Sequence, residues 1–144
     1  MAAGGLVRGT EGNASARAGD LVAISPSALP YETLRAEDVC LVTAEGGLLE
    51  GPTPSVELPM HLAVLAARPD VGAVVHTHSP RATARPPVPV AESAPWGTPA
   101  LGLAVLAAAG DGDAVVIESH GPVCFGVDLA AALERAFEVE RAAT

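Results

Sequence analysis

Short apolar runs alternate with polar breaks along the chain, and the period within each run indicates its form. Asn13–Arg17 and Leu21–Ile24 read as two strands around a turn at Ala18, Gly19 and Asp20. Ser25 to Pro30 reads as a loop, and Tyr31–Leu34 as one helical turn. Asp38–Thr43 alternates like a strand, and Glu45, Gly46 and Gly47 turn it back. From Ser55 to Ala67, Leu58, His61, Leu62 and Leu65 recur at helical spacing. Ser55 serves as its N-cap, and Pro59 falls near the first turn, where a missing N–H costs least. Arg68, Pro69 and Asp70 end this helix. Gly72–His78 is rich in β-branched residues and reads as a strand stopped by Ser79 and Pro80. Pro86–Ala91 is at most a short extended piece. Thr98 caps and Pro99 opens a helix through Ala109. Asp113–Ser119 and Pro122–Gly126 read as strands joined by His120 and Gly121. Asp128 caps a last helix to about Ala143, with Leu129, Ala132, Leu133, Ala136 and Phe137 on one stripe. Interleaved strands and helices predict a layered α/β domain, and the tight turns predict antiparallel pairing.

Composition narrows the function classes. A chain of 144 residues fits one domain, 1–144, and 49% hydrophobic residues suffice for a sizeable core. No apolar run reaches membrane-spanning length, and the N-terminus lacks a signal peptide's apolar stretch, so the expected compartment is the cytoplasm. Cys40 and Cys124 sit in apolar runs and read as reduced core residues. A net charge of −9 argues against a nucleic-acid surface. It leaves room for an anionic small substrate, which backbone N–H groups and a metal can bind locally. All eight basic residues are arginine. Without lysine, Schiff-base chemistry, pyridoxal-phosphate attachment and a P-loop lysine are excluded.

Candidate chemistry starts at "VVHTHSP", Val74–Pro80. In a strand, His76 and His78 project to the same face and form half of a metal site. The alternative is a chance pair held by hydrogen bonds. His120 ends the next strand but one, followed by Gly121, and can face the pair to complete a three-histidine site with an open position. Taken alone, it reads as a polar turn residue. Glu57, in the first turn of the Ser55 helix, is a fourth ligand, a general base, or a helix-start residue favoured by the dipole. His61, one turn on, reads as a core histidine or one that supports the site from behind.

Several blocks resemble the class II aldolase/adducin family, typified by L-fuculose-phosphate aldolase. They are "GTEGNASAR" (Gly9–Arg17), "ISPSALPYETLRAEDVCLV" (Ile24–Val42), "EGPTPSVELPMHLAVLAARPDVGAVVHTHSP" (Glu50–Pro80), "GT" (Gly97–Thr98) and "SHGPVCFGVDLAAALERAFEVE" (Ser119–Glu140). The resemblance implies a three-layer α/β/α sandwich with a largely antiparallel central sheet, and a homotetramer with active sites between subunits. It implies zinc or another divalent metal on His76, His78 and His120, with Glu57 as the acid/base. It implies that Thr10, Gly12, Asn13, Ser27, Ala28, Ser55 and Val56 bind the phosphate of a small sugar phosphate. The implied reaction is retro-aldol cleavage of a ketose phosphate through a zinc-stabilised enediolate, by a metal-dependent aldehyde-lyase of carbohydrate metabolism such as pentose catabolism. The alternatives are a sugar-phosphate epimerase or dehydratase of the same family, and a non-catalytic adducin-like binding module.

Three departures stand out. The family's "PSG" is "PSA" here, at Pro26–Ala28, and its "PSSE" is "PSVE", so Val56 replaces a phosphate-binding hydroxyl. The chain is also shorter than the family before "GT-GN", after Thr144, and in the middle, where only Arg85, Pro86 and Pro87 link "RATA" to "VPVA". A tyrosine proton donor is expected from those regions. Tyr31, the single tyrosine, belongs to the "PYE" motif and is not expected to replace it.

Overall fold

The computed structural model describes residues 1–144. Eight strands form one sheet in the order β4-β3-β2-β1-β5-β8-β7-β6. They are β1 (Asn13–Ala18), β2 (Leu21–Ile24), β3 (Cys40–Thr43), β4 (Leu48–Glu50), β5 (Ala73–His76), β6 (Val90–Ala91), β7 (Ala114–Ile117) and β8 (Gly121–Gly126). All pairs are antiparallel except β6 with β7, which are parallel. A parallel pair needs a crossover, supplied by helix α3 (Pro99–Ala109).

The sheet is covered on both faces. On one side α3 and α1 (Leu58–Ala67) bury Met60, Val64, Leu101 and Val105 against Val74, Val115 and Val123. On the other, α4 (Leu129–Ala142) and the short α2 (Pro80–Ala84) bury Ala132, Ala136, Val139 and Ala82 against Ala73, Val75 and Cys124. Strands β5 and β7 are buried at every position, so they read as continuous apolar runs, whereas the outer β3 alternates. The layers and the largely antiparallel sheet are those the sequence implies. Cys40 and Cys124 are buried and unpaired with each other. No helix is long and apolar enough to cross a membrane.

The local differences have physical causes. The first long helix begins at Leu58, not Ser55, because the Ser55 carbonyl closes a separate turn with the Leu58 N–H and its Oγ accepts from the Glu57 N–H at 3.3 Å. Strand β5 ends at His76, and only Thr77, bonding to the Pro122 carbonyl, extends it before the chain leaves the ladder. Pro80 ends the extended run and also opens α2, since its fixed φ suits a first helical turn. Strand β4 is exposed at all three residues and so carries no alternation to read. On α4, Leu129 is exposed, while Val139 joins the buried stripe. Arg17 clasps the end of α1 by donating from Nε to the Val71 carbonyl at 2.8 Å and from Nη2 to the carbonyls of Leu65 and Arg68.

Candidate metal centre

One end of the sheet gathers the histidines. His76 is the last residue of β5 and pairs with Asn13 on one side and Val123 on the other. His78 lies two residues beyond. His120 sits in the turn between β7 and β8, preceded by Ser119 in the left-handed region at φ 57°. Two glycines permit the close approach. A side chain on Gly12, at φ 71°, would meet the His76 carbonyl oxygen at 2.6 Å, and one on Gly121 would strike the Thr77 carbonyl.

The three imidazoles pack edge to face, with centroids 4.7–5.0 Å apart. Glu57, immediately before α1, meets them. Its Oε2 lies 3.3 Å from His76 Nε2, and its Oε1 lies 3.8 Å from His120 Nε2. One ligand atom from each of Glu57, His76, His78 and His120 falls within 4.8 Å of the others. His76 Nδ1 donates to the Pro122 carbonyl at 2.9 Å, which leaves the Nε2 lone pair facing the cluster. Glu57 Oε1 and His78 Nε2 are buried without a hydrogen-bond partner. Orphaned buried acceptors in an N₃O set fit a divalent cation.

Electrostatics agrees. Burial holds His76 well below the ordinary histidine range, and its neighbours His120 and His78 add to this. Burial also lowers His120; Glu57 opposes that effect and His78 reinforces it. Neutral imidazoles are the form that binds a metal.

A cavity of about 230 Å³ opens above this cluster. Of the residues expected at the site, Glu57, His78 and His120 line it, and His76 lies fully buried beneath. Thr10, Gly12 and Asn13 form one wall; Ser27 and Ala28, with Ser55 and Val56, form another. The two loops of the second wall are zipped by a Pro26–Pro54 bridge and by bonds from Ser27 N–H to the Thr53 carbonyl and from Ser55 N–H to the Ser25 carbonyl. The N–H groups of Gly12, Ala28 and Val56 have no partner within the chain. Tyr31 braces the first wall by donating to the Gly12 carbonyl at 2.7 Å, and burial pushes its phenol up to about 12. A larger cleft, of about 400 Å³, adjoins Arg68 and Arg135, whose guanidinium groups are paired with Asp70, Asp113 and Glu138.

Three contributors escaped the sequence reading. Trp96, 67% exposed, stacks on His120 with centroids 5.0 Å apart; its signal was being the single tryptophan, just before "GT". Glu11 puts a carboxylate in the cavity wall, 4.0 Å from His78 Nδ1, and is visible as the acidic residue inside "GTEGN". Ser15 bonds to His61 at 2.7 Å, and its signal is the N-x-S spacing on β1, which places it on Asn13's face.

The sequence matches the family described as Class II Aldolase and Adducin N-terminal domain over residues 1–86 and again over 84–144. The break falls at the shortened link around Arg85. The chain is similar to the 5-methylthioribulose-1-phosphate/5-deoxyribulose-1-phosphate aldolase of Rhodospirillum rubrum, at 38% identity over 158 aligned positions, covering 96% of this chain and 72% of the relative. Those positions outnumber the chain's 144 residues, so the relative has positions with no counterpart here. The L-ribulose-5-phosphate 4-epimerase UlaF of Salmonella paratyphi B is 46% identical over 83 residues, 56% of this chain and 36% of the relative. The solved structure of an L-fuculose 1-phosphate aldolase superposes with a TM-score of 0.89 at 31% identity, over 96% of this chain and 75% of that one. Likeness to proteins named as aldolases, with a histidine–glutamate cluster able to hold a metal, supports a lyase of the class II aldolase type. The chain belongs to the class II aldolase and adducin N-terminal domain family.

Proposed function

We propose that the protein is a metal-dependent aldehyde-lyase that cleaves a small ketose 1-phosphate by a retro-aldol reaction. One observation carries this reading: Glu57, His76, His78 and His120 converge at the floor of a cavity rimmed by unpaired backbone N–H groups. His76, His78 and His120 would hold zinc or another divalent cation. When bound, that ion supplies Lewis-acid stabilisation of the charge that carbon–carbon cleavage leaves on the donor fragment. In a chain without lysine, no imine can take that charge.

The chain's own residues supply the rest. Glu57 delivers a proton to the donor carbon, and the equivalent proton leaves the substrate hydroxyl that becomes the aldehyde as the carbon–carbon bond breaks. The phosphate rests against the free N–H groups of Gly12, Ala28 and Val56 and the hydroxyls of Thr10, Ser27 and Ser55. No arginine lines the cavity, so main-chain donors carry the recognition. The relatives named for 1-phosphorylated ketoses support that substrate class. A second reading, epimerisation of a pentulose phosphate, is favoured by the 46% identity to the epimerase. The family resemblance also carries a cytoplasmic homotetramer, which light scattering tests for assembly.

The test is metal content by plasma mass spectrometry, followed by assays with ketose 1-phosphates. About one ion per chain is expected, as for a single three-histidine ligand set with an open position. His78→Ala and His120→Ala should lose it. Glu57→Gln should keep the ion and lose turnover by about 10²–10⁴-fold, the usual worth of a general acid–base group. An unchanged rate in Glu57→Gln refutes the mechanism. Isomer formation without aldehyde release selects the epimerase reading.

A further inference from the structure

Behind Glu57 runs a buried chain of three hydrogen bonds. Asn13 Nδ2 donates to Glu57 Oε2 at 2.8 Å. Asn13 Oδ1 faces His61 Nε2 at 2.5 Å, and His61 Nδ1 faces Ser15 Oγ at 2.7 Å. Ser15, His61, Asn13 and Glu57 are all at most 6% exposed. The four come from two short patterns: Asn13 and Ser15 share one face of β1, and Glu57 and His61 are four residues apart at the start of α1.

The direction of every bond follows from one end. A carboxylate oxygen only accepts, so Asn13 must present its NH₂ to Glu57 and its carbonyl to His61. That carbonyl requires His61 to carry its proton on Nε2. The Nδ1 lone pair is then free to accept from the Ser15 hydroxyl. Reversing any link would set two acceptors or two donors face to face in a water-free interior.

From this we infer that His61, with Ser15 behind it, is a positioning residue: it locks the Asn13 amide so that Glu57 Oε2 is held as an acceptor and Oε1 is left as the oxygen that exchanges the substrate proton. Oε1 is the oxygen without a partner and the one nearer His120. The inference rests on Glu57 being the acid/base of the proposed reaction, but the orientation of the relay can be read without turnover.

The first experiment is long-range ¹H–¹⁵N correlation NMR of His61 in the metal-free protein. A neutral ring protonated on Nε2 is expected, and a ring protonated on Nδ1 overturns the inference. The second compares His61→Gln with His61→Leu in the metal-loaded protein. Gln can present an N–H where Nε2 stood and should retain most of the rate. Leu cannot, and kcat should fall by about tenfold to a hundredfold, the scale of a misplaced catalytic group, with KM and metal content kept. Equal rates in the two variants, or a loss of KM alone, overturn the inference. Wild-type-like insensitivity to Glu57→Gln would instead sink the proposed function and leave the NMR result standing.

Discussion

Ala28 stands where the family resemblance places glycine, and its backbone sits in the left-handed region at φ 59°. Ala28→Gly should therefore stabilise the protein. A residue with a Cβ in that conformation is strained by about 1–2 kcal/mol. Glycine returns about 0.4–1 kcal/mol of that by loosening the unfolded chain. Ala28 is exposed, so losing its methyl forfeits little burial. The net gain is about 0.5–1 kcal/mol, or a rise of about 1–4 °C in Tm for a domain of this size. Calorimetry on the metal-free and metal-loaded forms reads it. Ala130→Gly, the same chemical change at an exposed position in the first turn of α4, is the control and should lower stability. A Tm that stays level or falls in Ala28→Gly, with the control behaving, would refute the claim that strain is stored in the cavity wall.

Acid should destabilise the fold through His61, whose pKa burial lowers to about 3, with His76 adding to the shift and Glu57 opposing it. A folded pKa below the unfolded 6.5 means that the unfolded chain binds the extra proton, so stability is full above pH 6.5 and falls towards pH 3. At pH 5 this one group costs about 2 kcal/mol; His61→Gln should shrink the difference in urea midpoint between pH 7 and pH 5 accordingly, and an unchanged difference would refute it. Glu11 places a negative charge beside the N–H groups assigned to the phosphate. Steady-state assays of Glu11→Gln should show KM for a phosphorylated ketose falling severalfold, whereas a rise would mean that Glu11 helps to bind the substrate.

The sequence made the cluster of Glu57, His76, His78 and His120 legible because its pieces are local. His76 and His78 are two residues apart, Glu57 stands beside a helix start, and His120 ends a strand pattern. The relay behind them was not legible in full. His61 could be read as a supporting histidine, but its partner Ser15 depends on β1 lying beneath α1, a contact between residues 46 apart. Strand β4 escaped because all three of its residues are exposed, and α2 because Pro80 signals both the end of a strand and the start of a helix. The offset at Ser55 shows the limit of capping rules: a hydroxyl can cap a turn that precedes a helix rather than the helix itself.

The placement of β5 has a consequence for how the protein assembles. Strands β1 to β4 form a meander of neighbours joined by links of two, fifteen and four residues, each far shorter than the spans that β5 must close. Strand β5 instead pairs with β1, some sixty positions earlier, and with β8, some fifty later, so its insertion must bear the entropy of two long closures. The histidines depend on this insertion: Asn13, His76 and Val123 come into register only when β5 is seated between its partners. The four-stranded meander by itself lacks His76, His78 and His120 and so can hold no ion at this site, which makes metal uptake during refolding a report on the docking of β5. A divalent cation added during refolding should be taken up only once β5 has docked.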